Sequence, residues 1–212
     1  MSAPGRLVAL EGIDGCGKST QARRLAKTLG ATVTHEPGAT ALGREVRSLV
    51  LRPGASLDPR AEALLLAADR AQHVAEVIAP ALGRGGWVVT DRFSASTLAY
   101  QGYGRGMDVE ELDRLVRWAT GGLAPDLVVL LDVPVAVAAA RRRGHGADRL
   151  EALGAEFQQR VAAGFAALAE ADPARWVVVD GTGRAEEVAA ATLAAVVDRL
   201  GWPDGAVTGG AE

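Results

Sequence analysis

The sequence predicts an α/β fold in which an open, mostly parallel β-sheet is wrapped by helices. Three observations lead there. Short β-rich runs alternate with longer helical patterns along the chain. Those runs are nearly uninterrupted apolar stretches, as expected of strands buried on both faces. A glycine-rich turn joins the first run to the first helical pattern.

Taken in order, the predicted strands are Leu7–Leu10, Thr32–His35, Trp87–Thr90, Leu127–Leu131 and Trp176–Val179. The first helix is expected to start near Lys18, because Ala22, Leu25, Ala26 and Leu29 fall at i, i+3, i+4 and i+7 and Gly30 supplies a stop. A long helix is predicted from Pro59 to Leu82, with proline at its start and Gly83 just past its end. Further helices fit Val109–Thr120, Pro134–Arg143, Ala155–Glu170 and Ala185–Leu200. The chain of 212 residues suits one compact domain over residues 1–203, followed by a Gly-rich polar tail, 204–212, that is expected to fray.

Hydrophobic residues make up 49% of the chain and charged residues 23%, the balance of an ordinary globular protein. A net charge of −3 argues against a general nucleic-acid binder. No apolar run approaches the length of a membrane span, and Met1–Gly5 lacks the apolar core of a signal peptide. Cys16 is the one cysteine and has no partner for an internal disulfide, so the chain reads as cytoplasmic. Lys18 and Lys27 are the only lysines, which makes a lysine at a critical position less of an accident.

The first turn reads Gly12-Ile13-Asp14-Gly15-Cys16-Gly17-Lys18-Ser19, followed by Thr20, a full match to G-x-x-x-x-G-K-[ST] between a strand and a helix. Glycines let the backbone curl into a concave nest of N–H donors, and the helix N-terminus adds partial positive charge. Lys18 is then placed to reach β- and γ-phosphates, and the Ser19 hydroxyl to ligate Mg²⁺. Asp14 would repel phosphate if it faced inwards; it is expected either to point towards a hydroxyl donor or a cation, or to cap a turn. Gly15 leaves this loop without an arginine, so charge on a transferring phosphoryl must be met from elsewhere.

Arg141-Arg142-Arg143 lead into Gly144-His145-Gly146, with Arg149 just beyond. They suit a lid near 141–150 that closes over phosphates, or else a solvated basic helix end. Asp91 and Arg92 end a strand, where open α/β sheets bind ligands. The carboxylate then suits the Mg²⁺ hydration shell and the guanidinium a phosphate, unless the two form a structural ion pair. On the long helix Leu66, Arg70 and His73 share one face. Arg70 has donors for a base carbonyl, or pairs with an acidic neighbour such as Asp69 or Glu76. His35, His73 and His145 show no metal-ligand spacing, and Cys16 reads as a small loop residue.

Five segments resemble the thymidylate kinase family: Glu11–Thr20 (EGIDGCGKST), Glu36–Leu51 (EPGATALGREVRSLVL), Leu64–Val74 (LLLAADRAQHV), Asp91–Met107 (DRFSASTLAYQGYGRGM) and Pro125–Glu151, which ends in DRLE. The phosphate loop alone indicates only a superfamily; the next three segments in this order are more specific. The resemblance implies a P-loop kinase fold, three-layered α/β/α with a five-stranded parallel sheet. It also implies Mg²⁺-dependent conversion of ATP and dTMP into ADP and dTDP, on the way to dTTP, by a homodimer.

Carried over by position, Asp14 resembles the carboxylate on the sugar 3′-hydroxyl. Arg47 and Arg92 match arginines on the dTMP phosphate, Arg70 matches the arginine on a thymine carbonyl, and Thr97 and Gln101 match polar contacts to the base. Tyr100 lies where the family's tyrosine packs beneath the sugar. Gly15 with a basic lid looks like the bacterial variant whose catalytic arginine comes from the lid, here from Arg141, Arg142, Arg143 or Arg149, acting with Lys18 and Arg92. Two departures stand out: Leu66 replaces the family's usual phenylalanine and keeps an apolar wall without aromatic stacking, and the lid between Arg143 and Asp148 is slightly short. A kinase of another nucleotide or nucleoside is the nearest rival. A switch or assembly protein that hydrolyses ATP or GTP to change partners is a rival from another class; the chain has no N-K-x-D motif for guanine, and an arginine-rich lid has little purpose in a switch.

Overall fold

The computed structural model describes residues 5–142, 149 and 153–203. Arg143, most of the expected lid and the tail at 204–212 lie outside the described residues. Five strands form one parallel sheet: β1 (Leu7–Glu11), β2 (Thr32–His35), β3 (Val88–Asp91), β4 (Leu127–Asp132) and β5 (Trp176–Asp180), in the order β2-β3-β1-β4-β5. β1 is buried along its whole length, with Leu10 opposite Asp91 of β3 and Glu11 opposite Leu130 of β4. The strand order reverses at β1, so the loop that follows it opens at the switch point, where such sheets place their ligands.

The expectation that every strand is an apolar run buried on both faces fails for β2. Thr32, Val33 and His35 are exposed, because β2 is an edge strand with β3 as its single neighbour. Its alternating Thr-Val-Thr-His composition suits that position. β5 is the other edge and exposes Val178.

Helix α1 (Lys18–Leu29) starts at Gly17 and stops at Gly30, both with positive φ, and buries Ala22, Leu25, Ala26 and Leu29. It packs against β1, β2 and β3 and beside the last helix, residues Ala185–Leu200, which covers β4 and β5. The chain also forms α2 (Ala41–Leu51), which the periodicity did not reveal; the Thr40 hydroxyl caps it by accepting from Gly43 N at 2.9 Å. The predicted long helix is a continuous run of three parts: α3 (Pro59–His73), a π-helical turn (Val74–Ile78) and α4 (Ala79–Gly83). Asp58 caps its start, and Gly83 is its last helical residue rather than lying just beyond it.

After β3 come α5 (Ser94–Thr97) and a π-helical stretch (Leu98–Gly104), also not predicted, and then α6 (Val109–Thr120), capped by Asp108 and closed by Gly121. α7 (Val135–Arg141) is shorter than expected, while α8 (Gly154–Ala171) and α9 (Ala185–Leu200) agree with the sequence to within a residue. α8 lays Phe157, Val161 and Phe165 against the π-helical stretch. α3 sits between α2 and α6 as a side wall. Among the described residues no helix is long and apolar enough to cross a membrane.

Candidate active site

The phosphate loop follows β1 with Gly12, Gly15 and Gly17 at φ of 138°, 86° and 103°, backbone that residues with a Cβ rarely adopt. Gly15 is required twice over: a Cβ there would stand 2.4 Å from the Ala138 carbonyl oxygen on α7 and 3.0 Å from Arg142 Cγ. Lys18 is buried, and its ammonium donates to the carbonyls of Gly12 (3.0 Å) and Ile13 (2.9 Å). The ammonium therefore rests against the carbonyls that open the loop. Asp14, Gly15, Gly17, Lys18, Ser19 and Thr20 line one open cleft, while Cys16 is buried behind the loop. Ser19 Oγ donates to Asp91 Oδ2, and Asp91 Oδ1 is buried with no partner among the described residues.

Asp91 and Arg92 do not pair with each other. Arg92 has φ of 72° and is the only non-glycine with positive φ among the described residues, a strained conformation typical of functional positions. This backbone sends the guanidinium across the cleft to Asp14 Oδ1, Ser96 Oγ (2.8 Å), the Gly12 carbonyl (3.2 Å) and the Tyr100 hydroxyl (3.0 Å). It also stacks over the Tyr100 ring at 4.8 Å. Asp14 thus faces a cation and a hydroxyl, since Tyr100 donates to its Oδ2 at 2.8 Å. Burial by itself would raise the Asp14 pKa, but Arg92, Lys18 and the Tyr100 hydroxyl outweigh it and hold the carboxyl well below the usual range. Burial is also the first reason the Tyr100 phenol is pushed well above its ordinary value.

The second half of the cleft lies between α2, α3 and the π-helical stretch, lined by Leu66, Arg70, Thr97, Tyr100 and Gln101. Arg70 is almost fully buried and is indeed ion-paired, but with Glu36 (Nε–Oε2 2.7 Å) rather than with Asp69 or Glu76. A partner from the loop after β2 can sit behind the helix, whereas Asp69 instead accepts from Gly38 N. Arg70 also donates to Thr97 Oγ1 (2.9 Å) and the Phe93 carbonyl (3.0 Å), so three of its five N–H groups are engaged among the described residues. His73 shares the face but lies beneath it, fully buried between Glu36 Oε1 (2.9 Å) and Thr34 Oγ1 (2.6 Å). Arg47 reaches in from α2 and donates to the Pro37 carbonyl at 2.9 Å. The two halves of the cleft share Asp14, Glu36, Arg47 and Arg92.

The lid arginines divide. Arg141 donates to the carbonyls of Gly181 and Thr182, both at 2.9 Å, and lines the phosphate side. Arg142 packs against Gly15. Arg149 is not brought to the phosphate loop: it bonds to Glu62 and to the Val50 carbonyl (2.8 Å), on the far wall of the second half. Glu62 is fully buried and needs counter-charge, which explains the displacement.

Three carboxylates that shape the site were not singled out in the sequence. Glu11 accepts from Phe93 N (2.9 Å), Ser96 N (3.2 Å) and Ser96 Oγ (2.6 Å), fixing the turn that presents Arg92; burial pushes its pKa up. Glu36 backs Arg70, and Glu62 backs Arg105 and Arg149. Glu62 did leave a signal, since it stands four residues before Leu66 on the face shared with Arg70 and His73. Among the described residues no group of three or more His, Cys, Asp or Glu is arranged to hold a metal ion.

Comparison with known proteins agrees with this geometry. The family model for thymidylate kinase matches residues 10–192. A thymidylate kinase from Prochlorococcus marinus (strain MIT 9313) is 51% identical over 199 residues, covering 88% of this chain and 91% of the relative. One from Carboxydothermus hydrogenoformans is 48% identical over 190 residues, covering 87% and 93%. The crystal structure of thymidylate kinase from Ehrlichia chaffeensis superposes with a TM-score of 0.77 at 30% identity, over 91% of this chain and 99% of that one. With a phosphate loop at the switch point, a second half-cleft walled by arginine, and relatives matched nearly end to end, the chain belongs to the thymidylate kinase family.

Proposed function

We propose that the two-part cleft carries out the reaction of this family, Mg²⁺-dependent transfer of the γ-phosphoryl group of ATP to dTMP, giving ADP and dTDP for dTTP synthesis. The observation that supports it most is the continuity of the halves. A donor phosphate on Lys18 and an acceptor phosphate on Arg47 would meet in one space around Asp14 and Arg92.

In this reading the amides of Gly12 to Thr20 and the Lys18 ammonium hold the ATP phosphates. Arg70, Thr97 and Gln101 take the thymine edge against the apolar wall of Leu66. Asp14 accepts from the sugar 3′-hydroxyl over the Tyr100 ring. Arg47 holds the acceptor phosphate, joined by Arg92 through Nε–H, which has no partner among the described residues. Arg142, with Arg143, closes over the transferring group, and Arg149 braces the acceptor wall. The residues present fit Mg²⁺: Ser19 and Asp91 offer hard oxygen ligands, and Asp91 Oδ1 is buried and unpaired among the described residues. Bound there, Mg²⁺ would neutralise charge on the β- and γ-phosphates. The chemistry is then positioning and charge stabilisation, with no covalent step on the protein.

Steady-state ADP production with Mg-ATP against dTMP, dUMP, AMP, CMP, GMP and thymidine tests the reading. Turnover with dTMP, with dUMP well behind, is the expected result. Turnover confined to another acceptor would overturn the assignment around Arg70 while sparing the phosphate loop.

The proposed protein is a cytoplasmic homodimer acting on small molecules, not on nucleic acid or membrane. Supporting the dimer, α2, α3 and α6 lie side by side and expose Leu42, Leu49, Leu64 and Trp118, the last 82% exposed. Trp118→Glu is expected to give a monomer by light scattering, and a monomeric parent protein would refute the dimer.

A further inference from the structure

Gln101 stands on the wall of the acceptor half-cleft, 1% exposed, with its two amide atoms in different circumstances. Nε2 donates to Glu62 Oε1 at 2.6 Å, while Oε1 is buried with no partner among the described residues. An ionised carboxylate can only accept hydrogen bonds. Contact with Glu62 therefore decides which end of the amide turns away from the carboxylate, and it leaves the carbonyl oxygen as the unpaired group.

Glu62 is itself fully buried in the first turn of α3. Burial alone would raise its pKa, but bonds from Arg105 and Arg149 and the Gln101 amide outweigh burial and lower it. Arg105 reaches Oε2 at 2.8 Å and Oε1 at 3.3 Å. Two arginines thus keep the carboxylate in its acceptor-only form, and that form holds the amide.

We propose that Glu62 is a positioning residue for base selection: by anchoring Gln101 Nε2 it presents Gln101 Oε1 to the nucleobase. This rests on the acceptor reading above. Arg70 supplies donors and Gln101 an acceptor, so the wall matches an edge with a carbonyl beside a ring N–H. Thymine and uracil have that edge. Cytosine offers an amino group to Arg70 and a ring-nitrogen lone pair to Gln101 Oε1, a mismatch at both places. Freed from Glu62, the amide can turn over and meet either edge, since its two ends are nearly the same shape. Discrimination then falls, because selectivity by polar groups depends on leaving a buried partner unpaired for the wrong substrate.

The test is kcat/KM for dTMP and dCMP in the full-length parent protein, Glu62→Gln, Gln101→Leu and the double variant, with thermal melting of each. Glu62→Gln is expected to narrow the dTMP/dCMP ratio roughly 10- to 100-fold, chiefly through KM. In the Gln101→Leu background the same substitution is expected to move the ratio by less than about 2-fold, because the effect passes through the amide. A parent-like ratio in Glu62→Gln, or an equal change with and without Gln101, would overturn the proposal. If Glu62→Gln melts below the assay temperature, Gln101→Leu decides: a narrowed ratio supports the proposal and a parent-like ratio overturns it. A parent protein that fails to phosphorylate dTMP is a different result, and it would refute the acceptor reading instead.

Discussion

Asp14→Asn is the sharpest probe of the site, because Asp14 lies in the phosphate loop yet faces the acceptor half. In the structure its carboxylate takes Arg92 on one oxygen and the Tyr100 hydroxyl on the other, at 2.8 Å. Asparagine keeps the shape but removes the charge and turns an NH₂ towards one of these donors. Hydrogen bonds to an ionised group are worth ~1.5–3 kcal/mol and neutral ones ~0.5–1.5, so each contact loses ~1–1.5 kcal/mol. Two such contacts give about 2–3 kcal/mol, taken at face value because the pair is mostly buried, with side-chain exposures of 14% and 25%. Both contacts exist in the free enzyme, so that energy is lost from fold stability. The proposed bond to the sugar hydroxyl, made only with dTMP, loses ~1–1.5 kcal/mol with the charge, roughly 5- to 12-fold in kcat/KM for dTMP. The KM for ATP should stay within about 2-fold, since the Lys18 contacts and the loop amides are untouched. A coupled ADP assay with each substrate varied in turn reads both values. A change below about 3-fold for dTMP, or an equal rise in the KM for ATP, would refute the reasoning and return Asp14 to the donor side.

The same substitution has a pH signature. Asp14 has a depressed pKa in the fold, so its stabilisation is present above the unfolded value of about 3.9 and is lost as pH falls through the folded value. Urea unfolding should show a constant gap between parent and Asp14→Asn from pH 7 to about 5 that closes below about 4; a gap that closes near neutrality would contradict the assignment. Arg142→Ala is expected to lower kcat by about 10³-fold. Arg149→Ala should mainly raise the KM for dTMP, because Arg149 sits on the acceptor wall; steady-state kinetics with the opposite split would exchange their roles. Glu36→Gln weakens two buried contacts, to Arg70 and His73, and should cost about 2–3 kcal/mol of stability in urea titrations. A loss under about 0.5 kcal/mol would mean that Arg70 does not depend on it.

What the sequence revealed and what it hid follow one physical line. Buried parallel strands need apolar side chains on both faces, so β1, β3 and β4 could be read directly, and the phosphate loop needs glycine at fixed places. Elsewhere glycine misled. Gly43 lies inside α2, where a Cβ would stand 2.3 Å from Asp69 Oδ1; the helix keeps glycine for close approach, and the apolar rhythm breaks there. Gly102 and Gly104 fall inside a helix as well, the π-helical stretch that ends at Gly104 before the turn at Arg105 and Gly106. A Cβ on Gly104 would stand 2.7 Å from the Phe157 ring, so glycine here lets α8 settle onto the π-helical stretch. The π-helical geometry also changes which residues share a face, and spacing rules for an α-helix do not register it. The pairings Glu36–Arg70 and Glu62–Arg149 join residues 34 and 87 positions apart. Only the fold brings them together.

Those pairings sort the cleft's cations into two groups with different work. Arg70, Arg92, Arg105 and Arg149 each have a carboxylate partner, in Glu36, Asp14 and Glu62. Their charge is locally balanced, so in the proposed reading what they contribute is direction: fixed N–H groups for a base edge, for the acceptor phosphate at Arg92, and for the wall that carries them. Lys18, Arg47 and Arg141 rest on backbone carbonyls, which orient a cation without cancelling it. Among the described residues none of the three bonds directly to a carboxylate, and all three line the half of the cleft where phosphates would lie. A site made only of unbalanced arginines would bind almost any anion. Pairing the recognition arginines directly with carboxylates while leaving Lys18, Arg47 and Arg141 on backbone carbonyls would, in the proposed reading, separate affinity from selectivity, so that the charge of a nucleotide draws it in before the polar pattern of its base decides whether it stays.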